Sequence, residues 1–197
     1  MSAASNKRIS ILISGRGSNM EAFLAAQQQR SLSGNVVRVI SNRPSAAGLQ
    51  TAKAHGIPTA IVDHTLFDSR ESFDEALANV VADDQPDAVV LAGFMRILDH
   101  SVTSSLPIIN SHPALLPLFP GAHAVRDALA AGATETGTTI HWVDAGVDTG
   151  KVIAQERVEI LPGDTEESLH ERIKIVERGL IVATIAGLLP TLEKING

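Results

Sequence analysis

The strongest constraint on the fold is a repeated alternation between short apolar runs and longer segments with helical periodicity. Residues 8–14 (RISILIS), 35–41 (NVVRVIS) and 87–93 (DAVVLAG) hold apolar side chains at nearly consecutive positions. Such runs are typical of strands that are covered on both faces of a parallel sheet. Because segments of helical length separate them, the first half of the chain predicts right-handed parallel β–α–β units.

The second half predicts that the sheet becomes mixed. Residues 137–144 and 151–160 alternate polar and apolar side chains, as antiparallel strands do, and a long helix from about Thr165 to Leu188 closes the chain. We predict an α/β fold: a single Rossmann-like domain over residues 1–197, with a mostly parallel mixed sheet, helices on both faces and a disordered tail over residues 1–7. Further strands are predicted at 59–63 and 107–110, and helices at 19–30, 45–56, 69–84 and 122–132.

Charge and composition exclude several classes of function. The net charge is −6, whereas a general nucleic-acid binder needs a basic surface. No cysteine is present, which excludes disulfides, thiolate metal sites and a cysteine nucleophile and makes the cytoplasm the expected location. The first apolar run is too short for a signal peptide or a membrane span. Small molecules are therefore the expected partners, and monomer and homodimer both stay open.

The loop after the first strand, residues 14–19 (SGRGSN), is suited to one phosphate group. Gly15 and Gly17 permit positive φ and close approach of a ligand to the backbone, and Ser18 or Asn19 can cap the helix that follows. Exposed N–H groups at the start of a helix favour an anion. The competing interpretation is a plain glycine-rich turn.

Two common nucleotide-binding motifs fit this loop poorly. A dinucleotide fingerprint requires a third glycine where Met20 stands, and an acid after the second strand, which ends instead in residues 41–43 (SNR). Arg43 keeps an NADP-binding alternative open, because an arginine there can meet a 2′-phosphate. A P-loop is excluded, because no lysine follows the second glycine.

Residues 110–117 (NSHPALLP) place an asparagine and a histidine two positions apart where an apolar strand runs out. In an extended segment such residues project to the same side, and Pro113 biases His112 away from helix. Asn110 and His112 together can stabilise the oxyanion of a carbonyl that becomes tetrahedral. A nearby carboxylate would favour a protonated histidine. We identify Asp148 as that acid, with Asp144 as its rival.

Other interpretations of the same residues compete with this one. A histidine is more often structural than catalytic, and an aspartate in a glycine-rich loop usually serves the turn. A metal site built from His112, His123, His141 and an acid lacks any ligand spacing of a known kind. A serine hydrolase is disfavoured because the chain has no G-x-S-x-G motif.

Four motifs, in this order and spacing, resemble those of the phosphoribosylglycinamide formyltransferases (GAR transformylases) of the folate-dependent formyltransferase superfamily. They are ISGRGSN (13–19), VVLAGFMRIL (89–98), INSHPALLPLFPGAHA (109–124) and GTTIHWVDAGVDTGKVIAQ (137–155). The resemblance runs from about Arg8 to Leu188. With 197 residues there is no room for the additional domains of the methionyl-tRNA formyltransferases or the formyltetrahydrofolate deformylases, which favours the glycinamide ribonucleotide branch.

The resemblance implies transfer of a formyl group from 10-formyltetrahydrofolate, a co-substrate, to the glycine amine of glycinamide ribonucleotide in de novo purine biosynthesis. It implies that Asn110, protonated His112 and Asp148 form the catalytic trio, and that no metal is required. It implies a nucleotide site formed by Gly15, Gly17, Ser18, Asn19, Lys174 and Glu177. The folate site it implies comprises Arg70, Met95, Arg96, Ile97, Leu98, Asn110, Asp144, Ala145, Gly146, Val147 and Asp148.

Three positions depart from the family pattern and put details of substrate contact in doubt. They are Thr149, Lys151 and Arg178. The alternatives that stay open are a sister formyltransferase or a deformylase acting on another acceptor, a nucleotide-binding module without chemistry, and an NADP-dependent oxidoreductase.

Overall fold

The structure is a computed structural model that describes residues 7–192. Residues 1–6 and 193–197 lie outside the described part. Of the tail predicted over residues 1–7, only Lys7 is therefore described. The Nζ atom of Lys7 lies 3.0 Å from Asp87 Oδ1. None of the helices within residues 7–192 is both long enough and apolar enough to cross a membrane.

The described chain forms one seven-stranded sheet, which confirms the predicted α/β class. The spatial order is β3-β2-β1-β4-β5-β6-β7, and pairing is parallel as far as β5 and antiparallel from β5 to β7. The strands are β1 (Arg8–Ile13), β2 (Asn35–Ser41), β3 (Thr59–Ile61), β4 (Ala88–Leu91), β5 (Ile108–His112), β6 (Glu135–Trp142) and β7 (Val152–Glu159).

The helices lie on both faces of the sheet. Short 3-10 segments at His64–Leu66 and Leu189–Thr191, and the helix α4, were not predicted from the sequence. The helices are α1 (Ser18–Gln28), α2 (Gly48–Ala54), α3 (Arg70–Ala82), α4 (His100–Ser105), α5 (Ala124–Ala130) and α6 (Glu166–Leu188).

Alternation along the central strands divides the core into two apolar layers. Ile11 of β1 and Ile109 of β5 pack with α1, α2 and α6 on one face. Leu12 and Ile108, the neighbours of those residues in the chain, pack with α3 and α4 on the other face. A strand that feeds both layers needs apolar residues at successive positions, which explains the continuous apolar runs of the sequence.

Strand order reverses around β1, which has β2 on one side and β4 on the other. In open α/β sheets the crevice beyond the carboxyl ends of the strands at such a switch point is where ligands bind. Ser14 links the loops that surround this crevice. Its Oγ accepts a 2.7 Å hydrogen bond from the Met95 backbone N–H, and donates to Asn42 Oδ1 at 2.6 Å. The loops after β1, β2 and β4 are therefore tied to one another.

The sequence predicts that strand β5 ends at Asn110, but in the structure it continues to His112. Antiparallel pairing with β6 extends it, with Asn110 opposite His141 and His112 opposite Thr139. Because β6 runs antiparallel to β5, its last residue, Trp142, lies opposite Ile109, near the start of β5. The segment after β6 therefore does not start at the carboxyl edge of the sheet and must fold back toward β5.

Candidate active site

The loop between β1 and α1 has the conformation expected of an anion site. Gly17, with φ of 71°, is the N-cap residue of α1, and no side chain caps the helix. The prediction that Ser18 or Asn19 caps the helix is therefore wrong: these are the first two helical residues. The uncapped N–H groups of the first turn remain available to a ligand. A Cβ on Gly17 would lie 3.0 Å from the Ile13 side chain, whereas one on Gly15 would meet nothing.

The structure brings Asn110, His112 and Asp148 together, although 36 residues of chain separate the second from the third. His112 Nδ1 lies 3.2 Å from Asp148 Oδ2, and both side chains are largely shielded from solvent. The backbone N–H of Gly121 donates to the same carboxylate oxygen at 2.8 Å. The rival acid, Asp144, instead holds its own loop by accepting from the Gly146 N–H at 3.0 Å.

Both ring nitrogens of His112 face acceptors. Nδ1 faces the Asp148 carboxylate, and Nε2 lies 2.7 Å from the carbonyl oxygen of Phe119. A neutral imidazole carries one N–H and can satisfy only one of these, whereas the imidazolium donates to both. Phe119 and Asp148 also have positive φ, at 51° and 55°. Backbone strain of this kind persists where the surrounding structure enforces it, and often at functional sites.

His141 belongs to the site, and sequence analysis considered it only as a metal ligand. Its Nε2 lies 3.3 Å from Asn110 Nδ2 and 3.6 Å from Asp148 Oδ1. Its Nδ1 lies 2.8 Å from the Trp142 carbonyl oxygen and therefore carries a proton. Its Nε2 is therefore within reach of both the Asn110 amide and the Asp148 carboxylate. The feature that identifies His141 is the antiparallel register of β5 and β6, which places it opposite Asn110.

The environment of Asp148 keeps its carboxyl group ionised. Burial alone would raise its pKa. A side-chain interaction with His141, the hydrogen bond from the Gly121 N–H and the charge of His112 outweigh burial, so that the pKa lies below its ordinary value. An anionic Asp148 is the partner that a cationic His112 requires.

The predicted folate residues differ in their exposure to solvent. Three of them expose apolar side chains, with relative exposures of 69% for Met95, 52% for Ile97 and 46% for Val147. Exposed apolar side chains of this kind are suited to a flat, partly apolar ligand. Leu98 differs from them, because its side chain is buried in the layer that contains α3.

Two predicted folate-site arginines are held by α3. The guanidinium of Arg96 lies over the ring of Phe73, 5.5 Å from its centroid, and Arg70 Nε lies 3.5 Å from Asp74 Oδ2. Burial raises the pKa of Asp74, and the hydrogen bond from the Asp99 N–H together with Arg70 opposes that effect. Both arginine side chains thus have defined positions at the crevice.

The loop predicted to close over the folate is compact. Asp144 Oδ1 accepts from Gly146 N–H at 3.0 Å and from Thr149 Oγ1 at 2.7 Å. A Cβ on Gly150 would lie 1.7 Å from the backbone oxygen of Trp142, so that only glycine fits there. This close approach folds the loop back toward β5 and delivers Asp148 to His112. Ala145 and Gly146 are exposed at its tip.

Two of the predicted nucleotide residues, Asn19 and Glu177, meet through a residue that sequence analysis missed. Ser111 Oγ donates to Glu177 Oε1 and accepts from Asn19 Nδ2 at 3.3 Å. Lys174, by contrast, pairs with Glu171 at 2.8 Å. Glu177, which the family resemblance implied, interrupts an otherwise apolar stripe of α6, the buried residues of which are Leu169, Ile173, Glu177, Ile181 and Ile185.

The described residues, 7–192, contain no cluster of three or more His, Cys, Asp or Glu side chains arranged to hold a metal ion. Of the histidines weighed as ligands, His112 and His141 contact the same carboxylate, Asp148. His123 is exposed and is the N-cap residue of α5.

Known proteins resemble this chain in sequence and in fold. The phosphoribosylglycinamide formyltransferase of Mycobacterium tuberculosis (strain ATCC 25618 / H37Rv) is 45% identical over 183 residues, 92% of this chain and 84% of that protein. The glycinamide ribonucleotide transformylase 1 of Symbiobacterium toebii superposes with a TM-score of 0.93 at 38% identity, covering 99% of this chain and 93% of that one.

Longer relatives match as well. The trifunctional purine biosynthetic protein adenosine-3 of Drosophila pseudoobscura pseudoobscura is 45% identical over 175 residues, which are 87% of this chain. This chain spans only 13% of that protein. The family model for formyl transferases matches residues 7–185, and it confirms the family resemblance predicted from the motifs. The chain belongs to the formyl transferase family.

Proposed function

We propose that the protein transfers the formyl group of 10-formyltetrahydrofolate to the glycine amine of glycinamide ribonucleotide, a step of de novo purine biosynthesis. The observation that carries this proposal is the contact of His112 with Asp148 beside Asn110, in a chain that matches the formyl transferase family over residues 7–185. This arrangement supplies hydrogen-bond donors for a carbonyl oxygen and a route for a proton.

In the proposed reaction the neutral amine attacks the formyl carbon, and a new C–N bond forms while the carbonyl oxygen becomes negative. The bond from the formyl carbon to the folate nitrogen then breaks, and the proton lost by the amine moves to that nitrogen. The products are the formylated nucleotide and tetrahydrofolate. No net redox change occurs, so the reaction balances without an oxidant or reductant.

Asn110 is positioned to stabilise the negative oxygen. Its amide has two N–H groups, and one is directed to His141 Nε2 at 3.3 Å. Among residues 7–192 the other N–H has no hydrogen-bond partner, so it can donate to the formyl oxygen. Loss of one donor of this kind typically lowers the rate by about 10²–10³-fold.

His112 can donate a second hydrogen bond to the formyl oxygen only if its Nε2 N–H leaves the Phe119 carbonyl oxygen or is shared with it. In this structure its Nε2 N–H points to the Phe119 carbonyl at 2.7 Å. We propose that the formyl oxygen competes for this N–H once substrate is bound, while Asp148 holds the other side of the ring. His112 or a water molecule held by Asp148 then carries the proton between the two nitrogens.

We assign the two substrates to opposite sides of Asn110. The uncapped start of α1 after Gly17 takes the ribosyl phosphate, and the carboxylate of Glu177 takes donors on the nucleotide. Met95, Ile97 and Val147 cover the folate ring system, because binding would remove their exposed apolar surface from water. A cytoplasmic location, and either a monomer or a homodimer, complete the proposal.

The test is to mix the purified protein with 10-formyltetrahydrofolate and glycinamide ribonucleotide and to follow the change in folate absorbance. We expect turnover that needs both substrates and that His112→Ala abolishes. Loss of the formyl group without the nucleotide would identify a deformylase instead. No change with either mixture would refute formyl transfer.

A further inference from the structure

Ser111 is a half-buried polar residue on an otherwise apolar face of β5. It projects from β5 on the same face as Ile109, which is fully buried against α1 and α6. Serine is also a weak strand former. The role of a hydroxyl group at this point is best sought in the groups it contacts.

Those groups are both polar and both buried. Glu177 is 8% exposed and Asn19 is 5% exposed. The Ser111 hydroxyl has one proton, which it donates to Glu177 Oε1, and it accepts the Asn19 amide N–H at 3.3 Å. The three side chains form a directed relay from the start of α1, through β5, to the middle of α6.

The relay leaves acceptors for a ligand. Within the described residues the Asn19 Oδ1 atom is buried and has no hydrogen-bond partner. The Ser111 hydroxyl occupies one oxygen of Glu177, and the second oxygen remains. Both residues are hydrogen-bonded to Ser111, and Asn19 lies in the first turn of α1 with its uncapped N–H groups. Such a set suits a ligand that carries hydroxyl or amine donors close to a phosphate.

We propose that Ser111 is a positioning residue for the nucleotide substrate: its hydroxyl fixes the Glu177 carboxylate and the Asn19 amide in the orientation that binds the sugar-side donors. This inference deepens the proposed function and depends on it for the identity of the nucleotide. Ser111 does not touch the reacting atoms. Its neighbours in the chain, Asn110 and His112, face the opposite side of β5.

The structure predicts how strongly Ser111 acts. A hydrogen bond to a charged group contributes roughly ten- to hundredfold to an equilibrium. Because Ser111 acts on the nucleotide only through its partners, we expect Ser111→Ala to weaken nucleotide binding about tenfold. The KM for folate should change by less than about twofold.

The experiment is isothermal titration of glycinamide ribonucleotide into the protein without folate. The variants are Ser111→Ala, Ser111→Thr, Glu177→Leu and the double variant Ser111→Ala/Glu177→Leu. Leucine continues the apolar stripe of α6, so that Glu177→Leu removes the carboxylate and leaves the packing. We expect threonine to retain affinity within about threefold, and Ser111→Ala to add less than about twofold once Glu177 is leucine. Ser10→Ala is the matched control, because it removes a fully buried strand hydroxyl that has no partner among the described residues.

The outcomes separate this inference from the proposed reaction. Unchanged affinity in Ser111→Ala, or an equal loss with and without Glu177, would overturn the positioning role even if formyl transfer is observed. Binding without formyl transfer would refute the reaction, and the same variants would still decide the role of Ser111. If the wild-type protein does not bind the nucleotide, both proposals fail.

Discussion

Replacement of Asp148 by asparagine is the sharpest test of the site. Asparagine has the same shape and can still accept the Gly121 N–H, so the loop after β6 should keep its conformation. What the variant loses is the negative charge 3.2 Å from His112 Nδ1. We therefore expect Asp148→Asn to lower kcat with little effect on folding.

The geometry gives the magnitude. Unit charges separated by 3.2 Å, in a medium of effective dielectric constant about 20, attract by about 5 kcal/mol. The carboxylate retains some contact with water and the imidazole keeps a neutral partner in the variant, so that about half of this energy is lost. Since about 1.4 kcal/mol corresponds to a factor of ten, kcat should fall by roughly 10²-fold, and by up to about 10⁴-fold if His112 also transfers the proton.

The assay is steady-state formyl transfer near pH 7, with the KM of each substrate and a thermal melt measured on the same preparations. Asp84→Asn is the matched control. Asp84 is also buried and ion-paired, at 2.8 Å from Arg38, but it lies near the amino end of the sheet, away from the crevice. We expect that control to lower the melting temperature and leave kcat unchanged. A kcat for Asp148→Asn within about fivefold of wild type would show that the charge of Asp148 does not drive the reaction.

Three further predictions test the surrounding framework. Gly17→Val should raise the KM for the nucleotide at least about tenfold and leave the KM for folate unchanged. The reason is that a β-branched residue at φ of 71° is strained by about 1–2 kcal/mol or more. Equal effects on both KM values would contradict this prediction. Gly150→Ala should lower kcat about 10²-fold, because its Cβ would lie 1.7 Å from the Trp142 oxygen and displace the loop; wild-type turnover would refute that packing. Arg172 holds the pKa of Asp164 well below its ordinary value, so that this carboxylate stabilises the fold above about pH 4 and loses its effect as the pH falls through the lowered pKa. Thermal melts should show Asp164→Asn less stable than wild type near pH 7, with a difference that shrinks in acid; a constant difference would contradict the linkage.

The local pattern of polar and apolar residues was sufficient to predict most of the strands and helices. The strand at residues 35–41 has the predicted bounds, because its apolar run is flanked by polar residues at both ends. The helix α4 was missed because only Val102 among its six residues is buried, which leaves no helical periodicity to detect. Local pattern also ended β5 at Asn110, whereas pairing with β6 carries it to His112.

Asn110, His112 and Asp148 could be proposed as a site because their residue types and strand-end positions are visible in one sequence, and their catalytic role stays a prediction. Ser111 and His141 could not be identified in the same way, because their roles depend on which side chains lie opposite them. His141 faces Asn110 only through the register of β5 and β6, and Ser111 meets Glu177 only because α6 packs over β5. The loop carrying Asp148 begins at the end of β6, opposite Ile109, and folds back from there to reach His112.

The strained backbone on both sides of His112 has a consequence for engineering. Glycine at position 119 or 148, or asparagine at position 119, would relax a left-handed conformation, so that a screen for heat resistance alone would favour such substitutions. Each would also loosen an acceptor that orients the imidazole. Variants selected only for survival at high temperature would therefore accumulate damage to the chemistry at these two positions, and selection schemes for this fold need turnover as a second criterion.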